Sequence, residues 1–165
     1  MLKSILTIVS FLAVSFAVQA QSKAGIHIGY GTETERPLFG INAEFGVTNQ
    51  ITVAPDFSYY LTQKHRYLTT TMWEVNANAH YYFQDKKDFR IFGLGGINYS
   101  HVKVSSELST LWAVSSTATS GKAGFNLGGG GTYALGTNME AFSTLKYTIG
   151  SADQVVLFGG LRYIF

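Results

Sequence analysis

The sequence predicts an all-β protein: an eight-stranded antiparallel up-and-down transmembrane β-barrel, preceded by a cleaved signal peptide. Three observations carry this prediction. Residues 1–20 form an apolar leader with one early lysine. After this leader, no apolar run is long enough for a membrane-spanning helix, and apolar and polar residues alternate along eight segments instead. Charged residues make up only 13% of the chain, which leaves few charges to cover a water-facing surface.

The leader has the three parts of a signal peptide. Lys3 supplies a positive start, and Ile5 to Val18 is apolar. Val18-Gln19-Ala20 has small residues at the two positions that a signal peptidase reads, so we place cleavage after Ala20 and the barrel domain at residues 21–165. The alternative, a membrane anchor, is disfavoured because the run is shorter than the roughly 18–20 residues of a spanning helix.

Eight strands follow in the mature chain, and each alternates with period two. Their length of about 10–13 residues suits a tilted strand that crosses a bilayer, which needs about 9–11. The predicted strands lie at about residues 23–32, 38–48, 51–61, 71–83, 89–102, 122–135, 139–149 and 155–165. The connections after the second, fourth and sixth strands are short, and those after the first, third and fifth are longer. This asymmetry and the even strand count predict periplasmic termini and longer outer loops.

The composition of the two faces decides between a soluble and a membrane barrel. A lipocalin-like barrel would carry many charges on its polar, water-facing side. Here the polar face is mostly Gly, Asn, Ser and Thr, which suits the narrow inside of eight strands. We therefore predict that the apolar face meets lipid. Aromatic residues near the strand ends would form two girdles: Tyr81, Phe83, Tyr133, Tyr163 and Phe165 on the periplasmic side, and Tyr30, Phe39, Tyr59, Trp73 and Tyr147 on the outer side.

Two places interrupt the alternation. Pro55 lies inside the third strand, and we expect a bulge there because a closed barrel has no free edge for a proline. The fifth strand has apolar residues on both parities. A bulge at Gly95-Gly96 would switch its register so that Phe92, Leu94, Ile97 and Tyr99 all face outward.

The predicted lumen contains charged and ionisable side chains. We expect them to form a buried polar network, because an unpaired buried charge is costly. Arg162 and Lys146 lie on neighbouring strands and need acidic partners, for which Glu140 and Glu44 are candidates. Both a structural plug and a proton or ion path remain open. The network comprises His27, Glu44, Asp56, Glu74, His80, Glu140, Lys146 and Arg162.

No motif predicts a cofactor or a metal. There is no cysteine, which excludes disulfides and thiolate chemistry. The histidines at 27, 65, 80 and 101 lack metal-ligand spacing, and the Gly128–Gly131 cluster lacks the spacing of a phosphate loop. The formal net charge is only +2 and no Lys/Arg-rich run occurs, so we expect no nucleic-acid partner.

The third outer loop, residues 103–121, is the candidate for a specific extracellular role. It is rich in Ser and Thr but contains Leu108, Leu111, Trp112 and Val114. These residues would form a contact patch, or strands five and six would extend beyond the membrane as a hairpin with an open edge for a partner. A solvated loop without a partner is the third possibility.

The chain ends Leu161-Arg162-Tyr163-Ile164-Phe165, and this end resembles a known signal. Outer-membrane barrels of Gram-negative bacteria commonly finish on an alternating strand with a terminal Phe. With its leader and eight strands, the chain resembles the small OmpA/OmpX-like outer-membrane β-barrel superfamily, often labelled "porin family". The resemblance implies an outer-membrane monomer in contact with lipid, and an assembly signal at Leu161, Tyr163 and Phe165 for the barrel-assembly machinery.

The resemblance is specific for architecture and weak for function. Our working hypothesis is a non-enzymatic barrel with a structural or surface-interaction role and a lumen filled by the polar network. The alternative is a small channel for ions or small solutes, and a third possibility is a lipid A-modifying enzyme or a lipocalin-like ligand binder. A few barrels of this size are lipid A deacylases that use a His-x-Ser pair, which this chain lacks. This chain has Ser100-His101, whose adjacent side chains would point to opposite faces of a strand.

Overall fold

The computed structural model describes residues 22–65, 68–85, 88–108, 114–150 and 153–165, so the predicted leader at residues 1–20 lies outside the described residues. All eight predicted strands are present. Their bounds are β1 Ser22–Gly31, β2 Arg36–Gly46, β3 Ile51–His65, β4 Leu68–Asp85, β5 Phe89–Leu108, β6 Val114–Ala134, β7 Met139–Ile149 and β8 Gln154–Ile164. No helix in these ranges is long and apolar enough to cross a membrane.

The strands close into a single barrel in which each pairs with its sequence neighbours and β1 pairs with β8. All eight pairings are antiparallel. Closure matters because lipid offers no hydrogen bonds, so the backbone groups of a spanning sheet must pair within the sheet. We call the end at which β1 begins and β8 ends the terminal end, and the opposite end the extended end.

The apolar face points outward, as predicted. Ile28 on β1 is 73% exposed and Phe125 on β6 is 67% exposed. Asn126, the next residue after Phe125, is only 3% exposed. A water-soluble barrel would show the reverse, so the lipocalin-like alternative does not fit this surface. The aromatic residues predicted for the two girdles lie on this outward face; Tyr59 and Trp73 are partly covered by neighbouring rings at 5.5 and 4.9 Å between centroids.

Inward glycines make room for large lumen side chains on the next strand. Gly25 pairs with Arg162, and Gly40 pairs with His27. A Cβ on either glycine would overlap a backbone carbonyl of the neighbouring strand and also press on the paired side chain. These glycines therefore let the barrel curl tightly while its interior stays filled.

Both predicted bulges are wrong. The β2–β3 register is the same before and after Pro55, at Asn42↔Asp56 and Phe45↔Val53. The intervening pairs are simply lost, because proline has no N–H to donate toward β2. The irregularities lie elsewhere, between Tyr60 and Gln63 on β3 and between Tyr82 and Gln84 on β4.

Strand β5 also runs through Gly95 and Gly96 without a shift of register. Ile97 and Tyr99 face outward as predicted, but Phe92 and Leu94 lie inside the barrel at 1% and 4% exposure. The apolar residues on both parities therefore reflect a lumen that is itself partly apolar, rather than a change of face.

Four strands continue beyond the closed barrel. The last β6–β7 pair at the extended end is Phe125↔Ile149, and the last β2–β3 pair is Leu38↔Tyr60. In contrast, β4 pairs with β5 up to Leu68↔Ser106, and β5 pairs with β6 up to Leu108↔Val114. Strands β3 to β6 thus form a sheet that projects past the other four strands, which we call the extended sheet.

Candidate functional site: the filled lumen and the extended sheet

All eight side chains of the predicted polar network lie inside the barrel and are buried. They separate into two clusters along the barrel axis. The terminal cluster contains Glu44, Glu140 and Arg162. The central cluster contains Asp56, Glu74 and Lys146. His27 lies between the two clusters, and His80 lies beside Glu44 of the terminal cluster. Period-two alternation places these residues inside, since each occupies the polar parity of its strand.

The terminal cluster forms where β1, β2, β7 and β8 begin or end. Arg162 Nη1 lies 2.6 Å from Glu44 Oε2 and 3.4 Å from Glu140 Oε1. Lys23 Nζ lies 2.9 Å from Glu140 Oε2 and 3.4 Å from Glu44 Oε1. Arg90 Nη2 adds a third cation at 2.9 Å from Glu140 Oε2. Two carboxylates are thereby held by three cations, which offsets the cost of burying them.

Sequence reasoning missed Lys23 and Arg90. Lys23 shares the inward parity of Gly25 and His27, so the alternation of β1 contained the necessary signal. Arg90 was obscured because the bulge expected at Gly95-Gly96 made the parity of β5 uncertain. The guanidinium of Arg90 also lies 4.8 Å from the ring centroid of Tyr82.

In the central cluster, Lys146 is paired with Glu74 rather than with Glu44 or Glu140. Lys146 Nζ donates to Glu74 Oε1 at 2.8 Å, and both side chains are at most 1% exposed. Glu74 projects from β4 on the opposite side of the lumen from β7. Only closure of the barrel brings these two residues together, which is why the sequence did not indicate the pair.

Asparagines join the central cluster into one network. Asn76 and Asn78 donate to the two oxygens of Asp56 at 2.8 and 3.1 Å. Asn126 donates at 2.8 Å to the side-chain oxygens of both Asn76 and Asn78. Asn98 donates to Asn76 at 2.7 Å. Asparagine suits this position because it supplies two donors and an acceptor without adding charge.

A chain of hydrogen bonds connects the two clusters through His27. Arg162 Nε donates to Asn42 Oδ1 at 2.9 Å, which orients the amide so that Asn42 Nδ2 faces His27 Nδ1 at 3.2 Å. His27 Nε2 is 2.9 Å from Ser58 Oγ, and Ser58 donates to Asp56 Oδ1 at 3.3 Å. In this orientation the His27 proton is on Nε2 and points at Ser58.

The order of this chain matters for the enzyme hypothesis. In a catalytic triad the histidine accepts the serine proton and the carboxylate holds the histidine. Here Ser58 donates to the carboxylate and receives a proton from His27, so the serine is not activated. As predicted, Ser100 and His101 point to opposite faces: Ser100 is buried in the lumen, and His101 stacks on Trp73 on the outer face with ring centroids 4.9 Å apart.

His80 is held by stacking. Its ring lies on Phe92 at 4.2 Å between centroids and 16° between planes. His80 Nδ1 is 3.5 Å from Glu44 Oε2, which is too long for a good hydrogen bond, and that nitrogen has no partner within the described chain. Stacking on Phe92 is therefore the contact that orients the His80 ring.

Apolar side chains fill the rest of the lumen. Toward the extended end, the cluster of Leu38, Tyr60, Met72 and Val156 is buried to between 0% and 3% exposure. This apolar seal stands between the ion clusters and the extended end. The lumen is therefore filled by a mixed polar and apolar interior rather than by the polar network alone. Within the described residues, no group of three or more metal-ligating side chains is placed to hold a metal ion.

The extended sheet replaces most of the predicted loop at residues 103–121. Leu108 and Val114 form the last backbone pair of the β5–β6 hairpin. Leu111 and Trp112 lie outside the described residues, so the contact patch that they were predicted to form stays a prediction. Of the alternatives that the sequence left open, the structure has the projecting hairpin.

The residues predicted as the assembly signal lie on the outward face of β8 and just beyond it. Leu161, Tyr163 and Phe165 are all exposed, and the rings of Tyr163 and Phe165 are 5.1 Å apart. The Phe165 N–H donates to Ser22 O at 3.0 Å, which fixes the end of the chain beside the start of β1.

Comparison with solved structures places this architecture among small outer-membrane barrels. Ail, the attachment invasion locus protein of Yersinia pestis, matches with a TM-score of 0.62 and 15% identity over 88% of this chain and 97% of Ail. The N-terminal β-barrel domain of Pseudomonas aeruginosa OprF matches with a TM-score of 0.66 and 15% identity over 89% and 100% of the two chains. Neisserial surface protein A matches with a TM-score of 0.62 and 17% identity over 88% and 97%.

At this level of identity the likeness shows the fold, which is that of the small OmpA/OmpX-like outer-membrane barrels. A search of curated proteins found no match to the chain. A family model described as "Protein of unknown function (DUF3575)" matches residues 6–152, which is most of the sequence. The chain therefore belongs to the DUF3575 family and has the eight-stranded barrel fold described above.

Proposed function

We propose that this protein is a plugged, non-enzymatic barrel of the bacterial outer membrane that acts in surface interaction through its extended sheet. In this proposal both termini are periplasmic, the barrel is a monomer in lipid, and the barrel-assembly machinery recognises the terminal strand. The observation that carries the proposal is the edge of β6 beyond Phe125↔Ile149, which has no pairing strand among the described residues and projects at the extended end.

This edge can be assigned to individual backbone groups. At the terminal end, Ala134 N donates to Asp88 O beside β5, and Leu135 N donates to Met139 O beside β7. Backbone groups alternate sides along a strand, and the β5–β6 register has no shift up to Leu108↔Val114. The odd-numbered residues 115–123 therefore direct both N–H and C=O away from β5, at positions where β7 no longer pairs.

This edge is about 26 Å long at roughly 3.3 Å per residue. Native proteins usually protect such edges with proline, with bulges or with several charges. The segment 114–124 contains no proline and one charge, Lys122, and its other side chains are small and neutral. An extended segment of a partner protein fits here as an added strand, with main-chain hydrogen bonds as the main source of affinity.

Ail, which has a similar fold, is described as an attachment invasion locus protein. A filled lumen and the reversed Ser58–His27 arrangement also favour interaction over transport or catalysis. The surface-interaction role nevertheless rests on the edge, so the edge is what the experiment must change.

The test compares substitutions that remove an edge N–H with substitutions that keep it. Thr117→Pro with Thr119→Pro removes two edge donors and leaves the bonds to β5 intact, whereas Thr117→Val with Thr119→Val keeps all of them. The barrel in nanodiscs is screened with a display library of short extended peptides. Selected peptides should slow hydrogen exchange at Thr117, Thr119 and Gly121, bind the valine variant as well as the native chain, and lose most affinity for the proline variant.

The same variants expressed on bacterial cells give the functional readout. Adhesion to a host-cell monolayer should fall with the proline pair and persist with the valine pair. Peptides that bind the proline variant equally well, or that leave the edge amides unprotected, would show that the edge is not the interaction site.

A further inference from the structure

A small cavity lies at the junction of the terminal and central clusters. Its volume is about 10 Å³. Asp56 and Asn78 line it from the central cluster, Arg162 and His80 line it from the terminal side, and Asn42 and Thr144 also belong to the polar part of the wall. Leu94 and Phe158 contribute apolar surface.

The Thr144 hydroxyl is a buried polar group in the wall of this cavity. Thr144 is 1% exposed, and its Oγ1 has no hydrogen-bond partner among the residues that the structure describes. Nearly all buried polar atoms in folded proteins are hydrogen-bonded to protein or to ordered water. Asp56 Oδ2 accepts one bond, from Asn78 at 3.1 Å, and a carboxylate oxygen has room for another donor.

We infer that this cavity binds one water molecule, which bridges the Thr144 hydroxyl and the Asp56 carboxylate. The volume corresponds to about one water-sized probe, and a buried water needs two to four polar partners. The carboxylate, the Asn78 amide, the hydroxyl and the His80 ring supply that number. The water gives Asp56 a partner besides the amides and Ser58, and it joins the central cluster to the terminal cluster without a charged bridge.

A pair of threonines on the lumen face makes the inference testable. Thr52 Oγ1 is also buried and also lacks a partner in the described chain, but Thr52 does not line the cavity. Threonine-to-valine exchange keeps shape and strand preference while removing the hydroxyl. At an unhydrated site, this exchange removes a costly unpaired group and is neutral or stabilising. At a hydrated site, it deprives a buried water of a partner and is destabilising.

The full mature barrel, folded in lipid vesicles, is unfolded by urea as native chain, Thr144→Val and Thr52→Val. We expect Thr144→Val to lower the folding equilibrium constant by about five- to thirtyfold, which corresponds to about 1–2 kcal/mol. Thr52→Val should leave it unchanged or raise it. If both variants shift in the same stabilising direction, the cavity holds no water.

A crystal structure supplies a direct reading. Density for a water should lie about 2.7–3.0 Å from Thr144 Oγ1 and disappear in Thr144→Val. A map that shows other buried waters but none at Thr144 would overturn the inference, whatever the unfolding data give.

Discussion

The central ion pair gives the most quantitative test of the filled lumen. Lys146 Nζ lies 2.8 Å from Glu74 Oε1, with both side chains at most 1% exposed. At an effective dielectric constant of about 20, this separation corresponds to a gross attraction of about 6 kcal/mol. Desolvation cancels part of that attraction, but removal of one partner leaves the other buried and unpaired, at a cost of about 3–5 kcal/mol.

Lys146→Met removes the cation and keeps a stem of similar shape. We expect the free energy of unfolding to fall by about 3–5 kcal/mol, measured by urea titration of the barrel in lipid vesicles with tryptophan fluorescence. Adding Glu74→Gln removes the carboxylate charge that Lys146→Met leaves unpaired. The amide oxygen of the new side chain still accepts a hydrogen bond from Asn98. The double variant should therefore recover at least about 1 kcal/mol relative to the sum of the single effects.

Lys103→Met is the matched control, because Lys103 is an exposed lysine on β5. Its effect should stay within about 0.5 kcal/mol. A loss below about 1 kcal/mol for Lys146→Met, or strict additivity in the double variant, would refute the argument, because it would mean that solvent reaches this pair and that the lumen is not filled.

Three further outcomes follow from the same structure. In planar bilayers the native barrel should show no steady ion conductance, because the ion clusters and the apolar seal fill its lumen; conductance in the native chain would favour the channel alternative. Gly25→Ala should destabilise the barrel by about 1–3 kcal/mol because its Cβ overlaps Leu161 O, whereas Gly95→Ala, whose Cβ meets nothing within 4 Å, should be neutral in the same unfolding assay. Phe165→Ala, which keeps the backbone hydrogen bond to Ser22, should lower the amount of folded barrel in outer-membrane fractions without changing its stability after refolding in detergent, and an unchanged yield would remove this residue from the assembly signal.

The strands that were easiest to predict are those that cross the apolar band. Along β7, the alternation of Leu145, Tyr147 and Ile149 with Lys146 and Thr148 fixed both the strand and its two faces. Lipid outside and a crowded polar lumen inside impose opposite demands on adjacent residues, so the pattern is strong. The prediction failed on β5, where Phe92 and Leu94 occupy the lumen and erase the contrast between the faces.

The extended sheet was visible only as one of several alternatives. Residues 114–121 are mostly Ser, Thr and Ala, and beyond the membrane neither face is constrained to be apolar. Without that constraint, a strand and a solvated loop have the same composition. The pairing of β6 with β5 provides the order that the local sequence does not specify.

The sequence by itself determined that this chain is an eight-stranded barrel with its apolar face outward, because period-two alternation reports directly on two unlike environments. Only the tertiary structure decided which charges meet. Lys146 pairs with Glu74, and Arg162 pairs with both Glu44 and Glu140. These contacts cross the lumen and depend on the strand register and on closure of the barrel. The alternation of polar and apolar residues predicts whether a side chain faces the lumen or the lipid. It does not predict which side chain contacts it across the lumen.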